Sequence, residues 1–177
     1  PASPARPNSN LCNMRSRLQV RLALTAVLIV LIDQGTKLYA TQKLHGKSGV
    51  FWLDTEYLAF GLRYSLNKFL SFSIPAPRWL IVALSAGIVL ILIHWWRKAV
   101  RRRESHTAMA LTLIISGALS NLADRLVGGA VVDFISIRVA NLQWGLFNLA
   151  DVAIIGGIIY LLWSEYRSKS DTVSQEG

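Results

Sequence analysis

The sequence predicts an all-α integral membrane protein: four transmembrane helices with a small extracytoplasmic β-sheet lying on the membrane surface. Three observations carry this. Hydrophobic residues make up 53% of the 177 and charged residues only 16%, against about 25% charged in a soluble domain. Four apolar stretches approach the roughly 20 residues needed to cross a hydrocarbon core. The basic residues behind the formal charge of +9 gather in short connections, where they orient a membrane protein. A basic nucleic-acid binder would not carry this much apolar sequence, so no nucleic-acid partner is expected. High hydrophobicity excludes a disordered chain. The single Cys12 excludes a disulfide framework and a Cys-cluster metal site.

The first span covers about 18–40, with its apolar heart at Leu22–Ile32. A cleaved signal peptide would need a small-residue A-x-A-like site after that heart, and Asp33 and Lys37 stand there instead. The second span, 79–96, is uncharged; the third covers about 107–126 and the fourth about 146–163. Buried helices of a soluble protein are the competing explanation, and four such spans in so short a chain speak against it. Met14, followed by Arg15, Arg17 and Arg21, looks like a natural start. Residues 1–13 are therefore expected to be a disordered tail or upstream sequence, 14–166 a single membrane domain, and 167–177 a polar cytoplasmic tail.

Arg97, Lys98, Arg101, Arg102 and Arg103 face only Glu104 between spans two and three. Positive-inside bias places that connection and both termini in the cytoplasm. Segments 41–78 and 127–145 then lie outside. In the first of these, Leu58, Phe60, Leu62, Tyr64 and Leu66 alternate with smaller or polar residues, the period of a strand. Leu70, Phe72 and Ile74 repeat the pattern, so a hairpin over about 56–75, turning at Asn67-Lys68-Phe69, is expected on the membrane surface.

This topology gathers polar residues at one depth. Asp33 and Lys37 end span one; Asn121, Asp124 and Arg125 end span three; Asp133 follows it; Asn148 and Asp151 open span four. Ionisable residues at membrane depth are costly and mark function. Asp33 and Lys37 are four apart and pair along one face. Asn121 shares a face with Asp124 or Arg125, and Asn148 with Asp151. A purely structural role, tying helix ends near the headgroups, suits the Asp33–Lys37 and Asp124–Arg125 pairs. It suits Asp133 and Asp151 less, since neither has an adjacent cation and both sit in apolar sequence. Two carboxylates in a poorly solvated site share a proton, so one can activate water while the other protonates, as in aspartic proteases. His45, His94 and His106 are scattered, and no Gly-x-Ser-x-Gly elbow or glycine-rich phosphate loop is present. A proton-coupled transporter subunit would also use intramembrane carboxylates, but spread through the membrane depth.

Taken together, Asp33-Gln34-Gly35-Thr36-Lys37, Ser120-Asn121-Leu122-Ala123-Asp124-Arg125, Val131-Val132-Asp133-Phe134 and Phe147-Asn148-Leu149-Ala150-Asp151 resemble the bacterial lipoprotein signal peptidases (signal peptidase II). The resemblance covers about residues 18–163. It implies an aspartic endopeptidase of the bacterial cytoplasmic membrane, active toward the extracytoplasmic face. Such an enzyme removes the signal peptide from a diacylglyceryl-modified prolipoprotein, just before the lipidated cysteine. It implies the catalytic pair Asp133 and Asp151, with Asn67, Asn121, Arg125 and Asn148 shaping the site and holding substrate. The resemblance further implies that Asp33, Lys37 and Asp124 are structural support. Prolipoproteins and membrane lipids are the implied partners, and neither a metal nor a cofactor is expected. A non-catalytic lipoprotein-binding module would share the resemblance without needing both aspartates. One departure is local: the family's Asn-x-Gly-Ala-Ala-Phe reads Asn67-Lys68-Phe69-Leu70-Ser71-Phe72 here. It removes a glycine that allows positive φ and close backbone approach.

Overall fold

The structure, a computed structural model, describes residues 9–68, 76–140 and 142–176. Its helices are α1 (Ser9–Leu44), α2 (Arg78–Arg102), α3 (Ser105–Val127) and α4 (Leu149–Glu176). Its strands are β1 (Val50–Asp54), β2 (Leu58–Asn67), β3 (Val131–Val139) and β4 (Leu142–Phe147). All four helices contain a stretch long and apolar enough to cross a membrane. Helix boundaries differ from the expected spans in a regular way. Helix α1 begins at Ser9, inside the expected tail, and α4 continues through the expected polar tail to Glu176. Hydrogen bonding within a helix continues past the last apolar residue wherever no Pro or Gly stops it, so hydropathy reports the membrane crossing and not the helix end.

Helix α3 is the centre. Its apolar window is 56% buried, against 11% for each of the other three. Its sequence explains this, because Ala108, Ala110, Thr112, Ser116, Gly117 and Ser120 are small and let neighbouring backbones approach closely. The exposed Leu24, Leu28 and Leu31 of α1 and Ile155, Ile159 and Leu162 of α4 present the apolar surface that lipid tails cover. The tightest approach between helices is at Gly117, where an added Cβ would clash with the Ala150 carbonyl oxygen and stand 2.8 Å from Ile154. Gly117→Ala should therefore push α4 off α3 at the turn that carries Asp151. A loss of about 1–3 kcal/mol is expected from such overpacking. Thermal unfolding of the detergent-solubilised variant measures it, and a melting temperature equal to the parent's would contradict this packing.

The strands form one antiparallel sheet in the order β1-β2-β3-β4. The Leu58–Asn67 strand is where the alternation placed it. It pairs with β1 on one side and with β3 on the other. The expected partner 70–74 and the turn at Phe69 lie outside the described residues. Strand β3 comes from the segment after span three. Its Val131, Val132, Ile135, Ile137 and Val139 are β-branched and suit a strand. Strand β4 takes Leu146 and Phe147, which were expected to open the fourth span. Beneath the sheet, Ala40 and Leu44 at the end of α1 pack on Phe134 of β3, with Leu62, Tyr64 and Leu149 around them.

Register positions the site. In the β2–β3 ladder Ser65 lies opposite Asp133 and Asn67 opposite Val131. Side chains two apart share a sheet face, so Asn67 and Asp133 are diagonal neighbours on it. In the β3–β4 ladder Ile135 lies opposite Phe147. Two residues further along, Asp133 comes level with the start of α4.

Candidate active site

Asn148 joins β4 to α4 and organises the site. It stands just before the first residue of α4, where its Oδ1 accepts the Asp151 backbone N–H at 3.0 Å. Asp151 Oδ2 in return accepts the Asn148 backbone N–H at 3.2 Å. This is a reciprocal capping box, closing two of the amides a helix start leaves unpaired. Asn148 was expected to share a helix face with Asp151. It is instead the residue before the helix, because a short amide side chain there satisfies the first turn.

The same side chain reaches the second carboxylate. Asn148 Nδ2 donates to Asp133 Oδ1 at 2.7 Å, and Asn67 Nδ2 donates to Asp133 Oδ2 at 3.1 Å. Asp151 Oδ1 accepts from Asn121 Nδ2 at 2.8 Å. One residue, Asn148, thus touches both aspartates. Asp133 is 3% exposed. Burial first, then the nearby Asp151 charge, push its carboxyl up to about 6, against the lowering pull of Asn67, Asn148 and Lys37.

That shift has a consequence for stability. Between about pH 4 and 6 the folded protein holds a proton on Asp133 that the unfolded chain has lost. The resulting stabilisation is complete below about pH 4 and disappears as pH rises through 6. Asp133→Asn imitates the protonated carboxyl at every pH. Its melting temperature should exceed the parent's at neutral pH, and the gap should close on acidification toward pH 4. A constant gap across that range would contradict it.

Next to the aspartates lies a buried ion cluster. Lys37 Nζ contacts Asp33 Oδ2 at 2.6 Å and Asp124 Oδ2 at 2.7 Å, and donates to Asn121 Oδ1 at 2.9 Å. Asp33 is fully buried. Its Oδ2 also accepts from Ser120 Oγ at 2.7 Å, and its Oδ1 accepts the Ala150 backbone N–H at 2.8 Å. Gln34 Nε2 donates to Asp124 Oδ1 at 2.8 Å and to Ser120 Oγ at 2.9 Å. The cluster bonds α1, α3 and the first turn of α4 together. Lys37 also orients Asn121: with its oxygen facing the ammonium, the amide turns its NH2 toward Asp151.

The expected Asp33–Lys37 pair is present; an Asp124–Arg125 pair is not, since Asp124 faces Lys37. Adjacent residues on a helix point about 100° apart, which separates them. Arg125 instead lies 3.5 Å from the Asn121 carbonyl oxygen. It lines a groove of about 320 Å³ with Asn121 and Asp151, walled by Leu84, Ser85 and Ile88 of α2 and by Ile154 of α4. Two further side chains act here that the motifs contained without identifying. Ser120 lies four residues before Asp124, and Gln34 follows Asp33; helical spacing around the charged residues is the signal for both. Arg78 is a third, donating to the Arg125 and Leu126 carbonyls at 3.1 and 2.8 Å. It closes carbonyls that the end of α3 leaves open.

Residues 25–167 match the family described as Signal peptidase (SPase) II. The chain belongs to the signal peptidase II family. Proteins named lipoprotein signal peptidase are similar over most of its length. The Teredinibacter turnerae protein is 36% identical over 143 residues, 78% of this chain and 82% of its own. The Shewanella baltica protein is 37% identical over 157 residues, 86% and 90% of the two chains. A bacterial membrane enzyme solved by the in meso method at 2.3 Å resolution superposes with a TM-score of 0.68. That match covers 85% of this chain and 90% of the other at 24% identity, a likeness of fold. Signal peptidase II membership favours a peptidase over the transporter subunit, and all four quoted motifs fall inside the matched region.

Proposed function

We propose that this member of the signal peptidase II family is an aspartic endopeptidase of the bacterial cytoplasmic membrane. It removes the signal peptide from diacylglyceryl-modified prolipoproteins, cutting before the lipidated cysteine. The observation that carries this reading is the bridging of Asp133 and Asp151 by Asn148 beside the groove. Asp133, with its raised affinity for a proton, is the member of the pair that carries the shared proton during the reaction. Asp151, backed by Asn121 and the Asn148 N–H, is the base.

Water held between them attacks the scissile carbonyl carbon. Asp151 takes the water proton while Asp133 gives its proton to the carbonyl oxygen, forming a neutral gem-diol. Asp151 then protonates the leaving amide nitrogen as Asp133 recovers a proton from the diol. The C–N bond breaks, and the signal peptide leaves with a new carboxyl end. No charge is stranded in a poorly solvated site, which is what the shared proton achieves. Asn67, Asn121, Arg125 and Asn148 hold the carboxylates and the substrate backbone, while Asp33, Lys37 and Asp124 are support. The groove, apolar on its α2 wall, suits a signal helix arriving sideways from the bilayer.

In this reading the aspartates and the sheet face outward, and both termini and the α2–α3 connection lie in the cytoplasm. The five basic residues of 97–103 support that orientation. A reporter fused in this connection should read as cytoplasmic, and one near Lys47 as external; the reverse pattern would overturn it. Incubating the purified protein with a lipidated prolipoprotein tests the function itself. Release of the signal peptide is expected, and binding without release would leave a lipoprotein-binding module.

A further inference from the structure

A cavity of about 810 Å³ lies at the other end of the bundle, between the α2–α3 connection and the last membrane turn of α4. Glu165 in its wall is fourteen residues beyond Asp151 on the same helix, about 21 Å along the axis. The cavity therefore sits near the opposite membrane boundary from the aspartates. Its lining carries both signs: Arg103 and Arg167, with Glu104 and Glu165. Arg103 ends α2 in the left-handed conformation, φ 61°. Neither its guanidinium nor the Glu165 carboxylate has an ion-pair partner among the described residues. Glu104 has only a long 3.9 Å contact to Arg102. The Arg167 guanidinium stands 5.5 Å over the Trp163 ring, and Tyr160 stacks on Trp163 from within the helix. The Tyr160 hydroxyl meets His106 Nδ1 at 2.7 Å, tying this wall to α3.

We propose that this cavity seats the headgroup of an aminophospholipid. Arg103 and Arg167 take the phosphate, and Glu165 with Glu104 takes the ammonium. Two cations and two carboxylates match a zwitterion, whereas an anionic glycerol headgroup would leave both carboxylates facing negative charge. Trp163 and Tyr160 sit where aromatic side chains mark the membrane boundary. The lipid-facing Ile155, Ile159 and Leu162 of α4 continue from the cavity toward the bilayer centre, giving acyl chains a surface to lie on. A soluble zwitterion would have no use for that surface.

The test is headgroup preference of the full chain in nanodiscs of equal phosphatidylethanolamine, phosphatidylglycerol and phosphatidylcholine, read as lipid retained in native mass spectrometry. Phosphatidylethanolamine should be retained several-fold above its share. Phosphatidylcholine, whose methylated ammonium donates no hydrogen bond, should not. E104Q/E165Q should abolish the preference, and R103A/R167A should lower retention of all three lipids. Both variants should release signal peptide at the parent's rate, which separates this site from the aspartates. Equal or greater retention of phosphatidylglycerol, or a preference that survives E104Q/E165Q, would overturn the proposal.

Discussion

Asp133→Asn and Asp151→Asn should each lower signal-peptide release per folded enzyme by at least about 10³-fold, the upper range for lost acid–base catalysis. Each substitution preserves shape: the Asn oxygen at 133 still accepts from Asn67 or Asn148, and at 151 from Asn121. What disappears is the titratable group. In the first variant no acid protonates the carbonyl oxygen, and in the second no base takes the proton of water. The double variant should be little worse than either single one, because one missing partner already disables the proton exchange. Asp133→Asn should in addition raise stability at neutral pH, since it removes a carboxylate whose ionisation opposes folding there. Activity is measured on a lipidated prolipoprotein, with folding checked by gel filtration and thermal unfolding. Substantial turnover by either single variant would refute the dyad.

Lys37→Met carries the largest expected effect on stability. Lys37 is 3% exposed, and its ammonium lies within 2.9 Å of two carboxylates and the Asn121 oxygen. Met fills similar volume without the charge. Asp33 then keeps only Ser120 Oγ and the Ala150 N–H, and Asp124 only Gln34, as described partners. Breaking a buried pair by removing one partner costs about 3–5 kcal/mol, because the remaining charge is uncompensated. Asp33→Asn should cost less: Asp124 still pairs with Lys37, and an amide oxygen at 33 can still accept the Ala150 N–H. Adding Asp33→Asn to Lys37→Met should recover part of the loss, since it removes one of the two orphaned charges. Thermal unfolding in detergent reads both effects. A Lys37→Met protein as stable as the parent would mean that the cluster contributes nothing. Lower activity per folded molecule is also expected, because Asn121 loses the cation that aims its amide at Asp151.

The pattern of these effects reflects how the fold was written into the chain. Four apolar stretches with basic connections suffice to specify four membrane helices, since hydrocarbon accepts only backbone whose hydrogen bonds are satisfied internally. Asp33, Lys37, Asn121, Asp124, Asp133, Asn148 and Asp151 were all legible as site candidates, because a polar residue at a span end in an apolar chain stands out without any structure. The Leu58–Asn67 strand was legible from its alternation. Its partners were not. Strand pairing is a long-range choice, and β3 joins β2 across more than 60 residues of chain that include two membrane helices.

Three features were decided by tertiary structure alone. Asn148 is a helix cap bridging two carboxylates because β4 runs straight into α4 beside β3, a register that no local spacing reveals. Asp124 pairs with Lys37 on another helix rather than with adjacent Arg125, because helical geometry separates neighbours and packing brings α1 against α3. Gln34 and Ser120 meet for the same reason. Sequence alone therefore determined which residues gather at one end of the helix bundle. Which of them touch was decided by strand register and by the close approach of helices that Gly117 permits, because hydrogen bonds and ion pairs depend on ångström distances that hydropathy does not encode.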